Sequence, residues 1–169
     1  MGDSTVSSVM RFDQWQNSFG TIALTSNSTG LVSQPTKPII SGQIGSYGSQ
    51  SAAQKVPFDD FWVQRGITYN SSTRRFVVPT TGIYRITFNA FQLNTAAGTR
   101  VMIGINDDAP NSANHRGMAY GGDANHQILN LDSVVSLNAN DYIVFYISAG
   151  ALYNASGDRF NQFSIEMIA

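Results

Sequence analysis

The stretch FVVPTTGIYRITFNAF, residues 76–91, decides the fold. It reads as the end of one strand, a proline-to-glycine turn and a second strand in strict two-residue alternation. Tyr84, Ile86, Phe88 and Ala90 fall on one face and Arg85, Thr87 and Asn89 on the other, because successive strand residues point to opposite sides. A strand with one apolar and one polar face lies on a core with its back to water.

Working toward the C-terminus, VMIGIND (101–107) repeats the alternation, with Val101, Ile103 and Ile105 set against Met102, Gly104 and Asn106. FNQFSIEMIA (160–169) does the same, with Phe163, Ile165 and Met167 against Ser164 and Glu166. YIVFYISA (142–149) departs from it: Tyr142, Val144 and Tyr146 face one way, Ile143, Phe145 and Ile147 the other, and both sets are apolar. Such a strand needs cover on both faces, from another sheet, a loop or another subunit, and a second subunit is the expected cover here. From Val56 onward, short apolar segments alternate with Gly, Asn, Asp and Ser clusters about every ten residues, which is the pattern of an all-β, two-sheet jelly-roll sandwich.

Toward the N-terminus the texture differs. Residues 33–55, SQPTKPIISGQIGSYGSQSAAQK, read as a Gly/Ser/Pro-rich connector, with PII and QIGSY as short strand candidates. Residues 1–32 hold one apolar cluster, VMRFDQWQNSFGTIAL. Phe12, Trp15 and Phe19 recur at helical spacing, while TIALT prefers a strand. The cluster is too short for its own core, so Phe12, Trp15, Phe19, Ile22 and Leu24 are expected to anchor an extended attachment arm in a partner. The domain proper is expected over 56–169.

Composition narrows the classes of function. The chain has 169 residues, 42% hydrophobic and 12% charged, a formal net charge of -1 and no cysteine. That suits one folded domain with an uncharged, Ser/Asn/Thr/Gly-rich surface. Its ten Lys and Arg are scattered, apart from Arg74 and Arg75, so no basic stripe follows a phosphate backbone and nucleic acid is not an expected partner. Absent cysteines remove disulfides, thiolate catalysis and cysteine-held zinc. No run approaches the roughly 20 apolar residues of a spanning helix, so no membrane insertion is expected. MGDSTVSSVMRFDQW shows neither a secretory leader nor a myristoylation signal.

Chemistry-bearing residues are sparse. His115 and His126, with Asp107, Asp108 and Asp123 nearby, read as hydrogen-bonding residues of surface loops rather than metal ligands, and INDDAPN gathers oxygens without the spacing of an EF-hand. No G-x-S-x-G elbow accompanies either His, and SGQIGSYGSQS lacks the Gly-Lys-Ser/Thr ending of a phosphate loop. Asp59 and Asp60 are adjacent, so a strand would aim them at opposite faces. Sequons stand at Asn27, Asn70 and Asn154. No catalytic, cofactor or metal site is assigned, and the chain is read as non-enzymatic. Trp62 is expected in the core.

GITYNSSTRRFVVPTTGIYRITFNAF, residues 66–91, resembles the signature of the C1q and tumour-necrosis-factor-like jelly rolls, with Tyr69, Phe76, Pro79, Gly82, Tyr84 and Phe88 in the matching positions. LDSVVSLNANDYIVFYI is similar to the family's later turn and strand through Leu137, Asp141, Tyr142 and Val144, with Asn140 where the family usually has Gly. The resemblance implies a homotrimer, and with it Tyr142, Val144, Phe145, Tyr146 and Ile147 as trimer-interface candidates. MRFDQWQNSFGTIALTSNSTG resembles the short leaders that precede decoration or receptor-binding domains in bacteriophage virion proteins.

Together these resemblances imply a trimeric capsid decoration, head-fibre or tail-fibre protein on the virion surface, anchored by its arm to other virion proteins. The loops LNTAAGTR, the 22-residue NDDAPNSANHRGMAYGGDANHQ and SAGALYNASGDR would meet a host glycan or protein. The alternatives are a secreted C1q-like signalling or carbohydrate-binding module and, third, a polysaccharide-cleaving tail enzyme, which would need paired carboxylates on one groove.

Overall fold

The alternation of residues 82–91 carries through to the computed structural model, which describes residues 14–16, 22–26, 32–33, 37–123, 125–155 and 159–169. Gly82–Phe91 is a ten-residue strand whose Tyr84, Ile86, Phe88 and Ala90 are fully buried, while Ile83, Arg85 and Asn89 are exposed. No helix occurs among the described residues, so none is long and apolar enough to cross a membrane.

The chain divides into two compact units, Met1–Thr36 and Lys37–Ala169. In the first, β1 (Gln14–Gln16), β2 (Ile22–Ser26) and β3 (Val32–Ser33) form an antiparallel sheet in the order β1-β2-β3. Trp15 pairs with Leu24 and Gln16 with Ile22, so the helical spacing of Phe12, Trp15 and Phe19 gives way to a strand at Trp15. Aromatic and β-branched residues fit a pleated sheet, which overrides a three-residue coincidence of period. Phe12 and Phe19 lie outside the described residues.

The second unit is built from β4 (Ile39–Gln43), β5 (Gln50–Ser51), β6 (Gln54–Lys55), β7 (Asp60–Arg65), β8 (Thr68–Asn70), β9 (Arg75–Val77), β10 (Gly82–Phe91), β11 (Arg100–Ile105), β12 (Gly117–Tyr120), β13 (Ile128–Leu137), β14 (Tyr142–Ala149), β15 (Ala151–Leu152) and β16 (Gln162–Met167). One sheet runs β13-β10-β16-β4-β7 and the other β12-β11-β14-β9-β8, with β6 added to β14. The segment expected as connector is therefore partly domain: β4 fills an interior position of the first sheet, and Ile40 and Ile44 are fully buried. PII was rich enough in β-branched residues to form that strand despite its Gly/Ser-rich surroundings.

Between the two sheets lies an aromatic core centred on Phe58, whose ring centroid stands 4.4 Å from Phe163, 5.6 Å from Phe76 and Phe145, and 5.7 Å from Phe88. Edge-to-face and tilted pairs of this kind add to the burial of their area. Trp62 is not part of the core; it is 45% exposed. β7 carries one extra residue opposite Ser41 and Gly42, and this bulge turns Phe61 inward and leaves Trp62 on the surface.

Candidate interaction surface

Each residue of the 66–91 signature has a physical task. Tyr69 lies against Phe76, centroids 4.6 Å apart, and its hydroxyl accepts the Phe58 N–H at 3.0 Å. Burial pushes the Tyr69 hydroxyl pKa up, and the Phe58 hydrogen bond opposes that rise. Tyr84 donates its hydroxyl to the Thr80 carbonyl at 2.7 Å, closing the turn that begins at Pro79. At Gly82 a Cβ would stand 2.7 Å from the Ala169 carbonyl and 2.5 Å from the Met167 side chain, so only glycine admits the C-terminal strand there. Asn140, standing where glycine was expected, adopts φ 72, the left-handed region that Asn tolerates.

The outer faces of the two sheets differ. Over the second sheet, residues 106–116 fold back across β11 and β14. Asp107 and Pro110 crowd Gly104, whose Cβ would meet the Asp107 carbonyl at 2.6 Å. Val144 lies beneath them at 0% exposure, and Met102 at 1%. Asp108 fastens this cover, accepting Arg75 Nε at 2.9 Å and Lys55 Nζ at 3.0 Å, while the Arg75 guanidinium stacks 4.1 Å over the Tyr142 ring. The Arg75 hydrogen bond holds the Asp108 carboxyl down at about 2.

The doubly apolar β14 is thus covered from within its own chain. Val144, Phe145 and Ile147 have no more than 1% exposure and nothing to give a neighbour; Tyr142 and Tyr146 remain half-buried. β11 is likewise buried on both faces, where alternation predicted a wet one. The 22 residues expected as a single loop are two loops at opposite ends of the sandwich, separated by β12.

Among the described residues of this unit, no segment folds across the first sheet in that way. Cross-strand register lays out rows on its outer face: Asn130, Asn89, Gln162, Gln43 and Asp60; then Asp132, Thr87, Ser164, Ser41 and Val63; then Val134, Arg85, Glu166, Ile39 and Arg65. Arg85 and Asp132 pair across strands, with Nε to Oδ1 at 3.1 Å, and this pairing lowers the Asp132 carboxyl. Val134 at 58% exposure, Ile83 and Ile168 at 40%, and Val63 at 44% stand on or beside this face. Met118 and Tyr120 are exposed on β12, at the neighbouring edge of the sandwich.

At the end of the sheet away from Lys37 the segments 93–99, 121–123 and 150–153 converge. Leu93 N–H donates to Ala151, Gly98 N–H to Gly122 and Tyr153 N–H to Phe91. Phe91 stacks on His126 at 5.0 Å and on Phe160 at 4.7 Å, with Tyr153 edge-on to His126. A cleft of about 440 Å³ opens beside this stack.

The polar residues singled out in the sequence mostly tie loops. Asp59 accepts the Ser46 hydroxyl as well as the N–H groups of Gly45 and Ser46 at 2.6 and 2.9 Å; burial raises its pKa, but these bonds, the Ser46 hydroxyl first, outweigh that and hold the carboxyl low. Asp60 accepts Gln43 Nε2 at 2.7 Å and Asp107 accepts Asn114 Nδ2 at 2.6 Å. Among the described residues no three His, Asp or Glu side chains come close enough to hold a metal ion. Asn154 is buried, its amide donating to the Tyr47 carbonyl at 2.6 Å, which leaves that sequon no room for a glycan. Asn27 lies outside the described residues.

A model of the C1q domain matches residues 43–164. Among solved structures, the globular domain of zebrafish complement 1qA protein is similar at 15% identity and a TM-score of 0.57, covering 79% of this chain and 98% of that one. The Eiger TNF of S. frugiperda is similar at 11% identity and a TM-score of 0.59, covering 79% and 94%. No curated protein matches.

Proposed function

Because the chain belongs to the C1q domain family, we propose that it is a non-enzymatic homotrimeric display protein: the Lys37–Ala169 unit assembles in threes and presents its loops, and the Met1–Thr36 unit attaches it to a larger particle. One observation carries the assembly. Among the described residues, the outer face of β13-β10-β16-β4-β7 carries exposed Ile83, Val134 and Val63, while β14 in the opposite sheet is covered by residues of its own chain.

The apolar residues on that face, Ile83, Val134 and Val63, and those on the β12 edge, Met118 and Tyr120, occupy different surfaces. A contact between two different surfaces is head-to-tail, and it closes into a ring when the rotation between neighbours returns to the first subunit. Three weakly binding arms or loop sets held together grip far more tightly than one.

The particle is, in this reading, a bacteriophage virion, with the domain on its surface and the arm seated on capsid or tail protein. The resemblance of MRFDQWQNSFGTIALTSNSTG to virion leaders supports it. A secreted signalling or carbohydrate-binding module is the alternative, supported by the likeness to animal folds of the complement and TNF kinds.

Light scattering on the full chain and on residues 37–169 tests the assembly: three times the 18.3 kDa chain mass, and its counterpart for the shorter piece, are expected. A monomer in both would refute it. Deleting residues 1–36 tests attachment, since particles that take up the truncated protein normally would rule out the arm.

A further inference from the structure

The geometry points to a binding site for a phosphate or sulfate ester of a sugar, in a cleft on the outer face of the second sheet. The site goes beyond the display reading and does not depend on it, since the proposed assembly contact uses the other sheet and the β12 edge.

The sequence holds one basic pair, Arg74 and Arg75, where the turn after β8 enters β9. Adjacent strand residues face opposite ways, yet both arginines reach the outer side. Arg75 stacks over Tyr142, and Arg74 lines a cleft of about 440 Å³ together with Gln54, Lys55, Ser72, Asp108 and Tyr146. The backbone of Arg74 makes this possible: its φ is 54, a left-handed conformation that glycine adopts without strain. Ala53, also in the lining, has φ 59. Side chains held in that region against their steric preference gather at ligand sites.

Three cations meet one carboxylate here. Asp108 Oδ1 accepts Arg75 Nε and Lys55 Nζ, and Oδ2 accepts Arg75 Nη2, so its oxygens are already engaged. Its neighbour Asp107 accepts the Ala109 N–H at 3.0 Å and Asn114 Nδ2 at 2.6 Å. Arg74 gives Nη1 to the Gln54 side-chain oxygen at 3.2 Å and to the Lys55 carbonyl at 2.5 Å. A guanidinium carries five N–H donors and an ammonium three, so Arg74 and Lys55 have more donors than their bonds among the described residues consume. An oxyanion, which only accepts, matches that surplus. A phosphate or sulfate ester brings three such oxygens, enough for Lys55, Arg74 and the exposed Ser72 hydroxyl together.

The rest of the cleft suits the group that carries the ester. It is larger than one oxyanion, and the half-buried Tyr146 ring lies in its lining with the Gln54 amide. A sugar offers C–H groups to an aromatic ring and hydroxyls to an amide. Other occupants fit less well. A divalent cation would find Asp108 alone, its oxygens held by Arg75 and Lys55. A nucleic-acid backbone needs cations along a path, and these form one spot.

The position is compatible with assembly. Cross-strand register puts Met118, Met102, Tyr146 and Lys55 in one row over β12, β11, β14 and β6. At the spacing of neighbouring strands, Lys55 stands roughly 14 Å from the β12 edge. A contact made through that edge leaves the cleft accessible.

The test titrates isotope-labelled full-length protein with glucose 6-phosphate, glucose 6-sulfate, glucose and inorganic phosphate, and follows backbone amide shifts. Both esters should bind and move the amides of Lys55, Ser72 and Ala109, with glucose silent and inorganic phosphate about tenfold weaker. Arg74→Gln should weaken the esters about tenfold. Ser72→Asp, at an exposed turn residue, should do the same by repulsion while keeping the Arg74 hydrogen bonds, so the test stays decisive if Arg74→Gln does not fold. Arg100→Gln, a cation of the same sheet outside the cleft, should change affinity by no more than about twofold. No binding of either ester, or binding that Arg74→Gln and Ser72→Asp leave intact, overturns the proposal, as does an equal loss in Arg100→Gln. Inorganic phosphate binding as tightly as the esters would overturn the assignment to a sugar. Light scattering keeps the two readings apart: a chain that binds the esters as a monomer refutes the trimer and leaves this site standing.

Discussion

Arg75 and Asp108 stand 33 residues apart in the chain and meet as a fork, guanidinium Nε and Nη2 on the two carboxylate oxygens. With Lys55 they pin residues 106–116 across β14, which is why a strand apolar on both faces needs no second subunit to cover it.

This clamp makes stability depend on acid. Asp108 is held at about 2 in the folded chain against 3.8 as a free side chain. A depressed carboxyl contributes stability that is complete above its unfolded pKa and is lost as pH falls through the folded one. Between about pH 4 and pH 2, then, the cover over β14 should loosen. Urea midpoints measured across that window should fall in the wild type and fall less steeply in Asp108→Asn, which lacks the titrating group. Parallel curves for the two would refute the assignment.

Gly104 tests the same cover by sterics. A Cβ there meets the Asp107 carbonyl at 2.6 Å and the Val144 side chain at 2.9 Å. Gly104→Ala should cost about 1–3 kcal/mol, the usual result of forcing an extra carbon into packed surroundings. Amide exchange at Val144 and Met102 should quicken more than at Phe88, which lies in the other sheet.

Phe58 tests the core. It is 2% exposed and touches rings from β9, β10, β14 and β16. Phe58→Ala should cost about 3–5 kcal/mol in chemical denaturation, the range for removing a buried aromatic ring. Phe58→Leu should recover most of it.

Val134 and Ile83 test the open sheet face. Both are exposed on the same side, on neighbouring strands. Val134→Asp or Ile83→Asp should leave the monomer folded by circular dichroism and reduce the solution mass to that of one chain. A trimer that survives both substitutions would place the contact elsewhere.

Much of the fold was legible because it rests on local physics. The alternation in 82–91, the turn between Pro79 and Gly82, the tolerance of Asn140 for a left-handed backbone and the polar back of β16 each follow from residue type and a period of two. Tyr84 announced both a buried ring and a hydroxyl needing a partner, and Thr80 supplies it. The sites were less legible. The cleft on the second sheet depends on bringing Lys55, Arg74 and Asp108 together from separate parts of the chain. No local signal marks them as neighbours.

Residue order alone specifies an all-β sandwich with the C1q pattern, since burial on a pleated strand is written every second residue. Which strands and side chains reach the surface was settled by contacts between distant residues. A bulge of one residue in β7 sent Trp62 outward, β4 drew the supposed connector into the sheet, and Asp108 found Arg75 and Lys55 and so fastened the cover over β14. Each of those outcomes turns on partners distant in sequence, and a local period cannot encode which partner arrives.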